Sequence, residues 1–171
     1  MEEADRKAID DFFRRIPEGE RAFFKEDVLD PDVQEGIFRG GNGRRRVAVD
    51  DDHAVVGYVA VIPGLGWSSH VGELRLVVDP ERRGKGLGRA LARAGLVDAL
   101  ELKLSKVFVE VVADQAPAIG MFQGLGFQAE ALLKNHARDR TGDLRDLVML
   151  AHAVDDNWSS LATLGVDEAV G

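Results

Sequence analysis

Cysteine is missing altogether from the 171 residues of this chain. Its absence rules out a disulfide scaffold, a thiolate-ligated zinc site and a cysteine nucleophile. Long apolar runs are missing too. Nothing approaches the roughly 18 consecutive apolar residues of a membrane-spanning helix. The opening MEEADRKAIDDFFRR is charged and lacks the apolar core of a secretory signal. Positive charge is in deficit: 22 Lys and Arg face 30 Asp and Glu, a net charge of -8. Such a surface repels phosphate backbones, so nucleic acid is not an expected partner. Histidine is scarce, at 53, 70, 136 and 152, and this scatter does not make a metal site. These absences leave one cytoplasmic enzyme or binding domain over 1–154, with no membrane partner. A small polar tail over 155–171 is expected to be loosely held.

What is present is an alternation of helices and strands. Residues 2–16 predict an amphipathic helix, with Ala8, Ile9, Phe12, Phe13 and Ile16 at helical spacing before Pro17. A second helical stretch falls within 18–38, interrupted near Asp30-Pro31 because the residue before a proline avoids the helical region. Arg45–Asp50 and Val55–Ile62 read as a hairpin with solvated charges at Arg44–Arg46 and Asp50–Asp52. After a decorated loop over 64–70, a strand at Val71–Asp79 ends on Pro80. A long helix follows, with Leu87, Ala90, Leu91, Ala94, Val97, Leu100 and Leu104 expected on its apolar face. Lys106–Val112 is almost continuously apolar, the pattern of a strand buried on both faces. A short helix over 116–124 and strands over 127–137 and 144–154 complete an α/β layered fold, with part of the sheet parallel.

The segment richest in chemistry runs from Arg83 to Arg89. Gly84, Gly86 and Gly88 stand at alternate positions between a strand and a helix, where the backbone can aim several N–H groups into one space. The helix start adds about half a positive charge. Arg82, Arg83, Lys85 and Arg89 add full charges on an otherwise acidic chain. A pyrophosphate or another multiply charged anion suits this arrangement. The triphosphatase loop G-x-x-x-x-G-K-[ST] is absent, and G-x-G-x-x-G fails because positions 89 and 91 are Arg and Leu.

Arg83-x-x-Gly86-x-Gly88, following a strand that ends Val78-Asp79-Pro80, resembles the Gcn5-related N-acetyltransferase family. Leu74–Pro80 looks like that family's fourth strand. Val109–Ile119 looks like its fifth strand and next helix, and Gly120–Phe127 like the Gly-Phe entry to its sixth strand. Close agreement covers about 71–127, and looser agreement runs from 44 to 154. The resemblance implies a mixed sheet splayed between the family's fourth and fifth strands, with acetyl-coenzyme A as co-substrate. It implies that the backbone of Leu76, Val77 and Val78 holds the pantetheine arm, in the manner of strand addition. The loop Arg83, Gly84, Lys85, Gly86, Leu87, Gly88 and Arg89 would hold the phosphates, with Gln115 and Phe122 also at the cofactor. An amide near Val77 or Val78 would polarise the thioester carbonyl.

Three departures stand out. Gln115 takes the place of a frequent asparagine. Phe122 takes the place of a tyrosine that commonly protonates the leaving thiolate. A thiol of pKa about 8.5 leaves tolerably without that proton. The family's first strand is expected to be missing, because Met1 begins almost at the helix, or else the chain starts late. An amine acceptor of pKa about 10.4 must lose a proton. Glu73 is the first choice of base and Glu110 the second, with water as a third route and His70 a lesser contributor. Without cysteine, an acyl-enzyme on sulfur is excluded, and direct attack in a ternary complex is expected. The acceptor, a small-molecule or protein amine, is expected against 12–38, 64–70 and 134–143, near Phe12, Phe13, Phe23, Phe24 and Trp67, and a homodimer is one state open to the chain. The competing reading is an acyl-coenzyme A sensor that binds without turnover, which Phe122 favours.

Overall fold

Charged and apolar residues alternate with helical period in α1 (Arg6–Arg15), which turns Ile9, Phe12 and Phe13 inward. The computed structural model describes residues 5–21, 24–39 and 41–154; Phe23 and the 155–171 tail lie outside them. After Pro17 come the short α2 (Glu18–Arg21) and then α3 (Pro31–Phe38). The Asp30-Pro31 break is a helix start. Asp30 is extended ahead of the proline, and its carboxylate accepts from the amides of Asp32 and Val33.

Six strands follow: β1 (Arg44–Val49), β2 (Val55–Pro63), β3 (Val71–Val78), β4 (Lys106–Val112), β5 (Gln128–Arg138) and β6 (Leu144–Ala153). They form one sheet in the order β1-β2-β3-β4-β6-β5. Among the described residues no strand precedes α1. Only β3 and β4 run parallel, joined through α4 (Leu87–Glu101). With α5 (Ala116–Gln123), α4 covers one face of the sheet, while α1 and α3 cover the other. No helix among the described residues is long and apolar enough to cross a membrane.

Three expectations need correction. Of the expected α4 face, Leu91 is buried and Leu87, Val97 and Leu100 pack against the same core, but Ala90 is exposed and the buried centre is Leu91, Ala92, Gly95, Leu96, Asp98 and Ala99. Gly95 sets this face: a Cβ there would stand 2.9 Å from Leu74 Cδ1 and 3.2 Å from Val59 Cγ2, so the helix lies close on the sheet at that point. A hydrophobic count passes over glycine and so misses the stripe. Next, β4 is not buried on both faces. Val107, Val109 and Val111 enter the core, while on the opposite face Val112 is buried and Lys106, Phe108 and Glu110 are only partly covered. Finally, the arginines of β1 are not merely solvated: Arg44 meets Glu101, and Arg46 grips the buried Asp98 of α4 through two hydrogen bonds of 2.8 and 2.6 Å.

The sheet is incomplete at one seam. Val71–Glu73 pairs with Lys106–Phe108, but Leu74–Val78 has no partner on β4. Beyond Phe108, β4 pairs only with β6. The splay therefore opens along the second half of β3.

Candidate functional site

The loop after β3 is anchored first at Asp79, whose carboxylate accepts from the Glu81 amide and from Arg15. Gly84 and Gly86 then take φ of +74° and +85°, in the left-handed region that glycine occupies without penalty. Gly86 caps α4, and the first bond into the helix runs from the Ala90 amide to the Gly86 carbonyl. The amides of Gly84, Lys85, Gly86, Leu87, Gly88 and Arg89 have no acceptor among the described residues. Gly88 serves packing: a Cβ there would lie 3.1 Å from Met121 Sδ of α5. Consecutive free amides at the start of a long helix fit a multiply charged anion, as a pyrophosphate requires.

The basic residues around this loop are half spent. Arg82 binds Asp50 at 2.7 Å. Arg83 donates to Glu20 of α2 and, through both Nε and Nη2 at 3.2 Å, to the Val78 carbonyl. Lys85 and Arg89 are exposed and form no ion pair among the described residues.

Backbone direction along β3 follows from its two ends. The Asp79 amide donates to Val56, and the Val71 carbonyl accepts from Gly64, so odd-numbered residues face β2. Leu74, Leu76 and Val78 therefore turn their backbone groups toward the splay. Of the two amides considered for polarising a carbonyl, Val78's faces the opening, whereas Val77's faces Tyr58 on β2. The Val78 carbonyl is already taken by Arg83. Gln115 stands exposed where α5 begins, just past β4. Phe122 lies in the core beneath α5. It is 3% exposed and packs edge-on against Phe127, with ring centroids 5.2 Å apart.

On the opposite face the two candidate bases meet. Lys25 Nζ lies 3.0 Å from Glu73 Oε1 and 3.0 Å from Glu110 Oε2. Arg75 holds the other oxygen of Glu73 at 3.1 Å and also reaches Glu26. Burial pushes the Glu73 carboxyl up, but the hydrogen bonds and charges of Arg75 and Lys25 outweigh it and hold it below the ordinary carboxylate range. Burial works against the Lys25 ammonium as well, and its two carboxylate partners more than offset it, raising its proton affinity. Arg75 was legible as a strand neighbour two positions from Glu73. Nothing in the sequence marked Lys25.

A cavity of about 460 Å3 adjoins this cluster, lined by Glu18, Arg21, Phe24, Lys25, Glu26 and Arg140 among others. An ion pair between Arg140 and Glu18 ties the β5–β6 turn to α2. Two of the three segments expected at an acceptor site therefore border it, and 64–70 does not. Trp67 is 95% exposed, and Phe12 and Phe13 are core residues. His70 is exposed beside the start of β3.

The family model described as the acetyltransferase (GNAT) family matches residues 7–127. The chain is 40% identical over 85 residues to a mycothiol acetyltransferase of Kocuria rhizophila, covering 48% of this chain and 28% of that protein. With the enzyme of the same name from Saccharomonospora viridis it shares 46% over 59 residues, covering 34% and 19%. These curated relatives are thus matched over about a quarter of their length or less. Among solved structures, a GCN5-related N-acetyltransferase from Kribbella flavida aligns with a TM-score of 0.74 and 25% identity, covering 90% of this chain and 94% of that one. A phosphinothricin acetyltransferase from Sinorhizobium meliloti in complex with AcCoA aligns with a TM-score of 0.74 and 19% identity, covering 91% and 86%.

Proposed function

The chain belongs to the acetyltransferase (GNAT) family, and from that premise we propose that it transfers an acetyl group from acetyl-coenzyme A to a cationic primary amine by direct attack in a ternary complex. One observation carries this reading: a row of free amides and a paired carboxylate site flank the same open seam of the sheet. The amides of Gly84–Arg89 hold the pyrophosphate, assisted by Lys85 and Arg89. The backbone of Leu76 and the amide of Val78 hold the thioester-bearing arm, and the Val78 amide polarises its carbonyl. Arg83 acts indirectly, by tying the loop to the end of β3.

Glu73 takes the proton, with Glu110 beside it. Moving a proton from an ammonium of pKa about 10.4 to an ordinary carboxyl near 4.3 is uphill by ~8 kcal/mol, and Glu73 is held below that range. The transfer therefore accompanies attack and does not precede it, and whatever strips positive charge from Glu73 makes it easier. The leaving thiolate, of pKa about 8.5, needs no acid in the place of Phe122.

A thiol-release assay over a panel of primary amines tests this reading. Turnover with cationic amines is expected. Tight acetyl-coenzyme A binding with no turnover on any amine would identify a sensor instead, and failure to bind acetyl-coenzyme A would remove both readings.

A further inference from the structure

We infer that Glu73 and Glu110 form a recognition site for a single primary ammonium, and that Lys25 occupies it as an internal surrogate which the acceptor displaces. The inference deepens the proposed acetyl transfer and rests on it for the identity of the incoming amine.

The site is built, because it already holds an ammonium. Two carboxylates from two strands, with side chains 15% and 11% exposed, converge on one Nζ at 3.0 Å each. The Phe108 ring centroid lies 6.0 Å from the same nitrogen, an additional cation-binding surface. Arg75 remains on the outer oxygen of Glu73 and is fixed in turn by Glu26. Two carboxylates this close, and this far from water, need a cation between them.

Lys25 is suited to leave. It sits in a stretch of bends and turns between α2 and α3, so its withdrawal breaks no helix or strand. Its side chain is 42% exposed and lines the cavity of about 460 Å3, so an incoming ammonium can reach it from that side. Once an acceptor ammonium replaces it, the nitrogen that must lose a proton is the one touching Glu73. One of the two positive charges that held the Glu73 carboxyl acidic has become the reactant itself, while Arg75 stays in place. Three N–H donors suit the pair; a quaternary ammonium has none.

The test uses Lys25→Met, which keeps the stem and removes the charge. Its thermal unfolding is followed without acetyl-coenzyme A, at constant ionic strength, in sodium, ethylammonium or tetramethylammonium chloride. Ethylammonium is expected to raise its melting temperature by several degrees over sodium and tetramethylammonium, and to lose that effect when Glu110→Gln is added. In steady state, the acceptor KM of Lys25→Met is expected to fall about tenfold, the scale of removing a competing charge-assisted pair. An equal response to ethylammonium and sodium, or an unchanged acceptor KM, overturns the inference. If Lys25→Met is too unstable to purify, Glu110→Gln alone decides: a raised KM for ammonium acceptors supports the site and an unchanged one refutes it. The melting experiment needs no turnover, so a chain that transfers no acetyl group and still answers to ethylammonium would refute the proposed activity and leave the ammonium site standing.

Discussion

The two sides of the open seam handle charge in opposite ways. On the proposed cofactor side, six successive amides from Gly84 to Arg89 have no acceptor among the described residues. On the proposed acceptor side, Lys25 and Arg75 link Glu26, Glu73 and Glu110 in a chain of ion pairs. Backbone donors at a helix start cannot swing away to find a partner, so they stay poised for an anion. Long side chains can swing, and they satisfy themselves until a competing ligand arrives. One side is ready before binding. The other already holds an internal partner.

The sharpest break in this contrast is Gly86→Val. A branched residue at φ +85° disrupts the amide row, and affinity for acetyl-coenzyme A by calorimetry should drop by more than about 100-fold with the circular dichroism spectrum retained. Retained affinity would show that the amides do not carry the binding. Glu73→Gln addresses the other side: kcat should fall about 100-fold while the cofactor Kd stays within about twofold. A fully active variant would remove Glu73 as the base. A smaller effect is expected where the sides touch. Glu20→Gln releases Arg83 from α2, and because that pair is substantially exposed, the cofactor Kd should tighten by no more than about threefold. Weakened binding would mean that Glu20 supports the loop and does not compete with it.

The smallest effect lies in the β5–β6 turn, another cluster of internally paired charges. The Thr141 hydroxyl, aided by Arg145 and the Asp143 amide against a burial effect of opposite sign, brings the Asp139 carboxyl down to about 2. A depressed carboxyl contributes stability fully above its unfolded value near 3.8, and that contribution fades as pH falls toward 2. Carboxyl chemical shifts should place the Asp139 midpoint near 2. A midpoint near 3.8 would show that the turn is open in solution.

Legibility followed the same division. The glycine loop, the strand before it and the helix after it were readable because φ above zero and a helix start leave residue-specific marks at fixed spacing. Element order was readable from periodicity and prolines, as at Asp30-Pro31. The face of α4 was not, because its apolar residues nearly encircle the helix and the close approach at Gly95 decides which side is buried. In β4, an apolar run hid the alternation that leaves Phe108 and Glu110 on the outer face. Glu73 and Glu110 were readable as candidate bases, but their meeting through Lys25 was not, since nothing local distinguishes that lysine from any other.

By itself the sequence determined the glycine-rich loop between strand and helix, the layered α/β order and the exclusion of an acyl-cysteine route, because these depend on local backbone freedom and residue identity. Only the tertiary structure decided that β3 and β4 part after Glu73, that Val78 and not Val77 turns its amide to the opening, and that Lys25 joins two carboxylates 37 residues apart in sequence. Those facts concern which side chains share a space, and that is set by how distant strands pack.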